Sequence, residues 1–293
     1  LKMNPVSERS LQDAFSLFRK YLSGHLAAPE REVIVFAPAI FLDMLASTAA
    51  EHYHTFPLLK NEQGISLGAQ DISQYVSGAH TRQTSPVWLR QMGINDVLIA
   101  HSEVRGEYED LLGQIAGYDF RDGYGALHAI DRVVFNPKMH NALKHGLRVT
   151  YCVGETAEER EMGWTSHVLT RQIVDGLAGV SQDDLDNRII IAYEPRWAIG
   201  GDKEPPTAEE IRFAHEVIRG TTAGLYEPRA STAREKWMDF MDNLLILYGG
   251  SMKPDNAAAI MAIEGVNGGL IGSACLDPAK FTKIVNYDKA HQG

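Results

Sequence analysis

Cysteine is scarce in this chain of 293 residues. There are two, Cys152 and Cys275, and they lie far apart in the sequence. Two cysteines placed in this way form neither a disulfide framework nor a paired-cysteine metal motif. We therefore expect a protein of the reducing cytosol.

Positive charge is also in short supply. Lys and Arg number 28 against 38 Asp and Glu, which gives a formal net charge of −10. This balance argues against a nucleic-acid surface, which needs clustered positive charge. It still allows an anionic small molecule, because one lysine and a few backbone N–H groups can hold a phosphate.

Long apolar runs are missing as well. The longest, from Val33 to Ala46, is interrupted by Pro38 and Asp43, so we expect no membrane span. We recognise no signal peptide, and because the first residue is Leu1 rather than Met, we expect the natural protein to begin further upstream. Apolar residues make up 44% and charged residues 23%, a globular mixture that excludes a disordered or collagen-like chain.

Short apolar runs, by contrast, recur along the whole chain. They show little polar alternation, which is typical of strands buried on both faces of a parallel sheet. Helical spacing of apolar residues lies between some of them, as at Ile211, Ala214 and Ile218. This alternation predicts βα units. The seven runs cover residues 33–36, 65–69, 97–100, 147–151, 189–193, 244–248 and 269–272.

These runs predict a single (β/α)8 barrel, a TIM barrel, over residues 1–293. A closed barrel has eight strands, so one strand is mostly missing from the given chain. Because a first helix is predicted from Ser7, the missing strand should end near Lys2. Residues 52–64 and 117–131 are expected to be insertions within the same domain, as loops or short extra helices.

Chemically useful residues follow several of the predicted strands. The C-terminal strand ends of a parallel barrel converge on one face, where active sites are built. His101 follows the fourth strand, Glu194 follows the sixth, and Lys2 would follow the first. The last two strands end in glycine-bearing turns at residues 249–251 and 272–273. We therefore expect an imidazole, a carboxylate, an ammonium and two tight turns on one face.

Six segments, in family order, resemble the triosephosphate isomerase family. The most specific is Ala-Tyr-Glu-Pro-Arg-Trp-Ala-Ile-Gly at 192–200, which resembles the family's base-and-lid segment. The other five are Leu-Lys-Met-Asn at 1–4, Ala-His-Ser-Glu at 100–103, Tyr-Cys-Val-Gly-Glu-Thr at 151–156, Tyr-Gly-Gly-Ser-Met-Lys-Pro-Asp-Asn at 248–256 and Leu-Ile-Gly-Ser-Ala at 270–274. The resemblance implies an isomerase of glycolysis and gluconeogenesis.

The resemblance also implies a role for each residue at the strand ends. Glu194 would be the base that moves a proton between two carbons of a sugar phosphate. His101 would polarise the carbonyl oxygen, and Lys2 would supply fixed positive charge. Ser102 would open a helix behind His101, and Glu103 would pair with Lys2 or another cation.

Phosphate-binding positions come from the same resemblance. Gly200, Ser251, Gly272 and Ser273 match positions whose backbone N–H groups hold the substrate phosphate in the family. Ser273 replaces a second glycine, which keeps the N–H group but adds a side chain. Residues 195–203 are expected to close over the substrate as a lid that excludes water.

Thr81 matches a residue that reaches into the neighbouring subunit, so the resemblance implies a homodimer. Family members often carry an acid and an arginine, paired across the dimer, where this chain has Gln83 and Val104. Because both positions are neutral here, no charge is left unpaired. Arg196 is a further departure, since the family usually has a small apolar residue there.

The predicted reaction interconverts dihydroxyacetone phosphate and glyceraldehyde 3-phosphate through an enediol(ate). One alternative is a paralogous isomerase of a four-carbon ketose (tetrulose) phosphate, whose altered pocket Arg196, Ser273 and the insertions would suit. Another is a non-catalytic barrel that binds sugar phosphates. We expect no metal and no organic cofactor, because no His, Asp and Glu cluster has ligand spacing.

Overall fold

The computed structural model of this protein describes residue 2 and residues 31–53, 65–116, 129–200, 204–226 and 243–289. Within these ranges strands and helices alternate along the chain. The predicted first helix from Ser7 and, apart from Lys2, the predicted first strand lie outside the described residues.

Seven parallel strands form one sheet, and their order in space is their order in the chain. Val33 lies opposite Ile65 on the next strand, and Val149 lies opposite Ile189. The strands are β1 (Val33–Ala37), β2 (Ile65–Ala69), β3 (Asp96–Ile99), β4 (Arg148–Val153), β5 (Ile189–Tyr193), β6 (Ile246–Tyr248) and β7 (Gly268–Gly269). Parallel neighbours joined through helices confirm the predicted barrel architecture.

Several of the helices between the strands begin at sequence signals for a helix start. Ser85 caps one helix ahead of Pro86, and Thr156 and Glu159 form a capping box at another. The helices are α1 (Ala39–Tyr53), α2 (Pro86–Gln91), α3 (Ser102–Ala116), α4 (Asn136–Lys144), α5 (Ala157–Glu161), α6 (Thr165–Gly176), α7 (Gln182–Arg188), α8 (Ala208–Tyr226), α9 (Ala257–Met261) and α10 (Pro278–Val285). The predicted helical face at Ile211, Ala214 and Ile218 is confirmed, because all three side chains are buried on α8.

Six of the seven predicted runs overlap a strand over three residues or more, whereas the run 269–272 shares only Gly269 with β7. The predicted run 97–100 ends one residue early, because Ala100 adopts a left-handed backbone with φ of +63° and turns the chain out of the sheet. The last prediction is wrong beyond its first residue, because pairing with β6 involves Gly268 and Gly269 and stops there. β7 is therefore the shortest of the described strands.

Side chains of the strands form two separate layers. Those that point outward pack beneath the helices, as Tyr151, Ile191 and Ile246 do. Those that point inward form a cluster of their own along the barrel axis. Its members are Phe36, Leu98, Cys152, Ala192, Leu247 and Leu270. Because facing direction alternates along a strand, Glu194 belongs to the same inward-facing series as Ala192.

The predicted insertions fall partly outside the described residues. α1 runs to Tyr53, and β2 begins at Ile65, directly after the first predicted insertion. At the end of the second, a π-helical turn begins at the buried Asp131 and continues into α4. In the part of the chain that the structure describes, we find no helix long and apolar enough to cross a membrane.

Candidate active site

The carboxylate of Glu194 lies directly after β5 and is only 3% exposed. Its Oε2 accepts a hydrogen bond of 2.8 Å from the backbone N–H of Ser102, and its Oε1 accepts one of 3.2 Å from the Ser102 hydroxyl. Nε2 of His101 lies 3.1 Å from Oε1. The predicted base and the predicted electrophile, which follow different strands, are therefore in direct contact.

The backbone around His101 fixes the direction of its ring. Ala100 ends β3 in a left-handed conformation, and α3 begins at Ser102. The backbone N–H of Glu103, in the first turn of α3, donates to Nδ1 of His101 over 3.3 Å. Since Nδ1 accepts this hydrogen bond, a neutral imidazole carries its proton on Nε2 and donates it toward Glu194.

Lys2 is connected to His101 and Glu194 through Glu103. Its Nζ lies 2.6 Å from Oε1 of Glu103, which is the ion pair that the sequence predicts. Burial acts to raise the pKa of Glu103, but the hydrogen bond and charge of Lys2 outweigh it, so the pKa is lowered. Lys2 and His101 are thus linked through one exposed carboxylate.

The predicted phosphate-binding residues lie in the lid segment and after the last two strands. Gly200 has a φ of +78°, a left-handed conformation that suits glycine. Gly272 and Ser273 stand at the start of a short 3₁₀ helix, Ser273–Leu276, after β7. The backbone N–H groups of Gly200, Ser251, Gly272 and Ser273 donate no hydrogen bond to any described residue. These four donors can therefore serve an anion.

Glycines let the strand ends approach Glu194 closely. A Cβ added at Gly154 would lie 1.8 Å from the backbone oxygen of Glu194, and one at Gly249 would lie 2.8 Å from its Cγ. The side-chain amide of Gln172 holds both backbone groups of Gly154, with hydrogen bonds of 2.8 and 3.1 Å. The position of Glu194 therefore depends on close backbone packing around it.

Two residues near the site carried no predicted role. The thiol of Cys152 is buried, and burial together with the neighbouring Glu194 carboxylate raises its pKa, so it stays protonated beside the base. Glu155 accepts hydrogen bonds from the Trp197 indole at 2.9 Å and the Tyr193 hydroxyl at 3.1 Å. Burial raises the pKa of Glu155. Its contacts tie the first turn of the lid segment to the end of β4.

Arg196 takes part in an ion pair that was not anticipated. Its two terminal nitrogens lie 3.0 and 2.7 Å from the two carboxylate oxygens of Glu109 on α3. The guanidinium is therefore directed along α3 rather than toward Glu194. Of the other predicted residues, Thr81 lies in an exposed turn between β2 and α2.

The sequence matches a model of the family described as Triosephosphate isomerase over residues 1–288. A triosephosphate isomerase of Treponema denticola is 40% identical over 225 residues, which are 77% of each chain. One of Leptospira biflexa is 39% identical over 245 residues, covering 83% of this chain and 81% of the relative. One of Oleidesulfovibrio alaskensis is 35% identical over 259 residues, covering 87% and 86%. This chain therefore belongs to the triosephosphate isomerase family and is an isomerase.

Proposed function

We propose that this protein interconverts dihydroxyacetone phosphate and glyceraldehyde 3-phosphate, with Glu194 as the base and His101 as the electrophile. The observation that carries the proposal is the 3.1 Å contact between His101 Nε2 and Glu194 Oε1 at the C-terminal ends of β3 and β5. A single small molecule placed at this contact would meet both groups at once. The names of the relatives supply the substrate.

Glu194 performs the proton transfer in this proposal. Its carboxylate removes a proton from one carbon of the substrate and returns it to the neighbouring carbon, so one group serves both half-reactions. Hydrogen bonds from Ser102 and His101 hold the carboxylate before substrate binds. The two donors from Ser102 are uncharged, so the substrate can replace them without separating an ion pair.

His101 stabilises the oxygen on which negative charge develops. Its Nε2–H, held in this tautomer by the backbone N–H of Glu103, would donate to the carbonyl oxygen of the substrate. Glu103 holds the ammonium of Lys2 near His101, from where Lys2 would supply positive charge to the substrate. The unused N–H groups of Ser251, Gly272 and Ser273 would bind the phosphate.

The alternative as a non-catalytic barrel is less well supported. A protein that only bound a phosphate would not need a base buried to 3% exposure beside an imidazole. A preference for tetrulose phosphate draws no support from Arg196, because Glu109 holds its guanidinium.

A homodimer in the reducing cytosol completes the proposal. Residues 74–83, which contain Thr81, form an exposed loop that includes Tyr75, at 44% exposure, stacked 3.9 Å from the ring of His80. The side chain of Gln83 accepts a hydrogen bond from Ser73, the residue directly before the loop, so the two ends of the loop are joined. A loop ordered from within in this way can insert into a second copy. Sedimentation velocity of Thr81→Arg, which should shift a dimer toward monomer, tests this part.

Initial rates with the purified protein test the reaction. We expect kcat/KM for glyceraldehyde 3-phosphate to exceed that for a tetrulose phosphate by about tenfold or more, since one additional carbon changes binding by about that factor. In deuterated water the product should gain deuterium at the carbon that receives the proton, which is the signature of an enediol(ate). A preference for tetrulose phosphate would identify the paralogous isomerase. Binding of both compounds without turnover would identify a non-catalytic barrel.

A further inference from the structure

We propose that the Arg196–Glu109 ion pair is a positioning device for the base Glu194. Arg196 is two residues beyond Glu194, and Glu109 is on α3, the helix that begins beside His101. The pair thus joins the segment that carries the base to the helix that carries its hydrogen-bond donors. This inference rests on the proposed role of Glu194 as the base.

The pair is well formed and largely covered. Two hydrogen bonds, at 3.0 and 2.7 Å, connect the planar guanidinium to both oxygens of the carboxylate. The side chains of Arg196 and Glu109 are only 18% and 16% exposed. Bidentate pairs of this kind fix relative orientation as well as distance, and screening by salt is weaker when the pair is covered.

Three residues on one face of α3 receive the chain as it leaves β5. Ser102, Gly106 and Glu109 are four and three residues apart, which places them in a row along the helix. Ser102 donates to Glu194, and Glu109 binds Arg196. Between them Gly106 faces the guanidinium, which lies 3.7 Å from where a Cβ would be. The segment Glu194–Arg196 therefore lies along α3 and is held at both ends.

The backbone of this segment is held from the other side as well. The N–H of Glu194 donates to the oxygen of Val153 over 2.7 Å, and the N–H of Arg196 donates to the oxygen of Glu155 over 3.1 Å. These bonds hold one side of the segment against the end of β4 and the residues after it, and the Arg196 side chain supplies the contact on the α3 side. Small errors in the placement of a catalytic group are costly, so loss of the pair should lower kcat more than it weakens substrate binding.

Steady-state kinetics of Glu109→Gln and Arg196→Val test the inference. Each variant should lower kcat by about tenfold and leave KM within about twofold, because the base is misplaced while the phosphate site is intact. The double variant should be no slower than either single variant, since both remove the same interaction. Arg196→Lys should recover part of the loss, because an ammonium can form one of the two hydrogen bonds.

Glu32→Gln provides the matched control at the other end of the barrel. Glu32 also forms a bidentate pair with an arginine, Arg148, at 2.8 Å for both contacts and with similar exposure, 26% and 25%. If both pairs only stabilise the fold, Glu32→Gln and Glu109→Gln will change kcat alike. We expect Glu32→Gln to keep kcat within about twofold of the wild-type protein.

Three outcomes would overturn the inference: unchanged kcat in both single variants, a loss confined to KM, or additive losses in the double variant. A wild-type protein that turns over no sugar phosphate would contradict the proposed function instead. The pair would then be judged from crystal structures of the wild-type protein and Arg196→Val. Loss of the 2.8 Å contact between Glu194 Oε2 and Ser102 N would support the inference, and an unmoved carboxylate would overturn it.

Discussion

At the N-terminal ends of the strands the buried carboxylate of Asp96 faces a guanidinium, whereas at the C-terminal ends the buried carboxylate of Glu194 is held by hydroxyl, amide and imidazole donors. Arg148 lies 2.5 Å from Asp96 and also binds Glu32, while the Ser66 hydroxyl donates to Asp96 over 3.0 Å. The charges and hydrogen-bonding groups of these four side chains, which lie on or beside neighbouring strands, are thus paired with one another.

Glu194 has a different environment. Its partners among the described residues are the N–H and hydroxyl of Ser102 and the ring of His101. An isolated buried charge is costly, and a full countercharge offsets that cost but also fixes the group in place. Hydroxyl and amide donors stabilise the carboxylate less than a full countercharge and can be exchanged for substrate. On the proposed function, one end of the barrel is therefore arranged for stability and the other for reaction.

The largest expected effect comes from removing the charge at the reactive end. Glu194→Gln should lower kcat by about 10³-fold, or about 4 kcal/mol, because an amide cannot accept the proton. The free energy of unfolding should not fall, since a neutral group replaces a buried charge. Coupled enzyme assays and urea denaturation measure the two quantities. A variant that keeps more than about a tenth of wild-type kcat would contradict the assignment of the base.

At the N-terminal ends of the strands, Arg148→Met should have the opposite effect: the free energy of unfolding should fall, while kcat of the folded protein should not. It leaves Asp96 buried without its countercharge, so unfolding free energy should fall by about 3 kcal/mol. Burial already raises the pKa of Asp96 despite its contacts with Arg148. The exposed Arg132, which pairs loosely with Asp175 at 3.5 Å, gives the control Arg132→Met, with an expected loss below about 1 kcal/mol. A fall in kcat in folded Arg148→Met would show that the two ends are not separate.

His215, a buried residue of α8, extends the comparison to the dependence of stability on pH. Its ring packs edge-on against Tyr193, and Nδ1 donates to the oxygen of Gly265. Burial lowers the pKa of His215 to about 4. Because the unfolded chain binds a proton near pH 6.5 and the folded chain does not, stability falls as pH drops from about 6.5 to about 4.

For His215 this loss is roughly 2 kcal/mol between pH 6.5 and 5. Urea denaturation of the wild-type protein and His215→Gln over this range measures it. The variant should lose less stability on acidification by about that amount. If the free energy of unfolding fell equally with pH in both proteins, other groups would be responsible for the acid sensitivity.

Ser102→Ala should have the smallest effect, although it changes a direct contact of Glu194. The hydroxyl contributes one hydrogen bond at 3.2 Å, while the shorter bond from the backbone N–H is kept. We expect a change in kcat of about fivefold, equivalent to about 1 kcal/mol. A loss as large as that of Glu194→Gln would mean that the hydroxyl takes part in the reaction.

Much of the fold could be predicted because buried parallel strands require continuous apolar runs, as in Ile189–Tyr193. The meeting of His101 and Glu194 could also be predicted, since the C-terminal ends of parallel strands share one face. Strand ends were less predictable. Ala100 leaves the sheet because its backbone is left-handed, and alanine gives no sequence signal for that conformation.

The contacts that refine the site could not be derived from sequence patterns. Arg196 and Glu109 are 87 positions apart, and their pairing depends on the direction in which the chain leaves β5. Cys152 was closer to being predictable, because alternation along β4 places it on the inner face, two residues before Gly154. Its contact with Glu194 still depends on the spacing of two neighbouring strands.

Gly154 sets that spacing, and this limits how the protein can diverge. Since even a methyl group at position 154 would overlap the Glu194 main chain, any replacement of this glycine would push the ends of β4 and β5 apart. Room for a larger substrate would therefore have to come from the loops above the strands rather than from this framework.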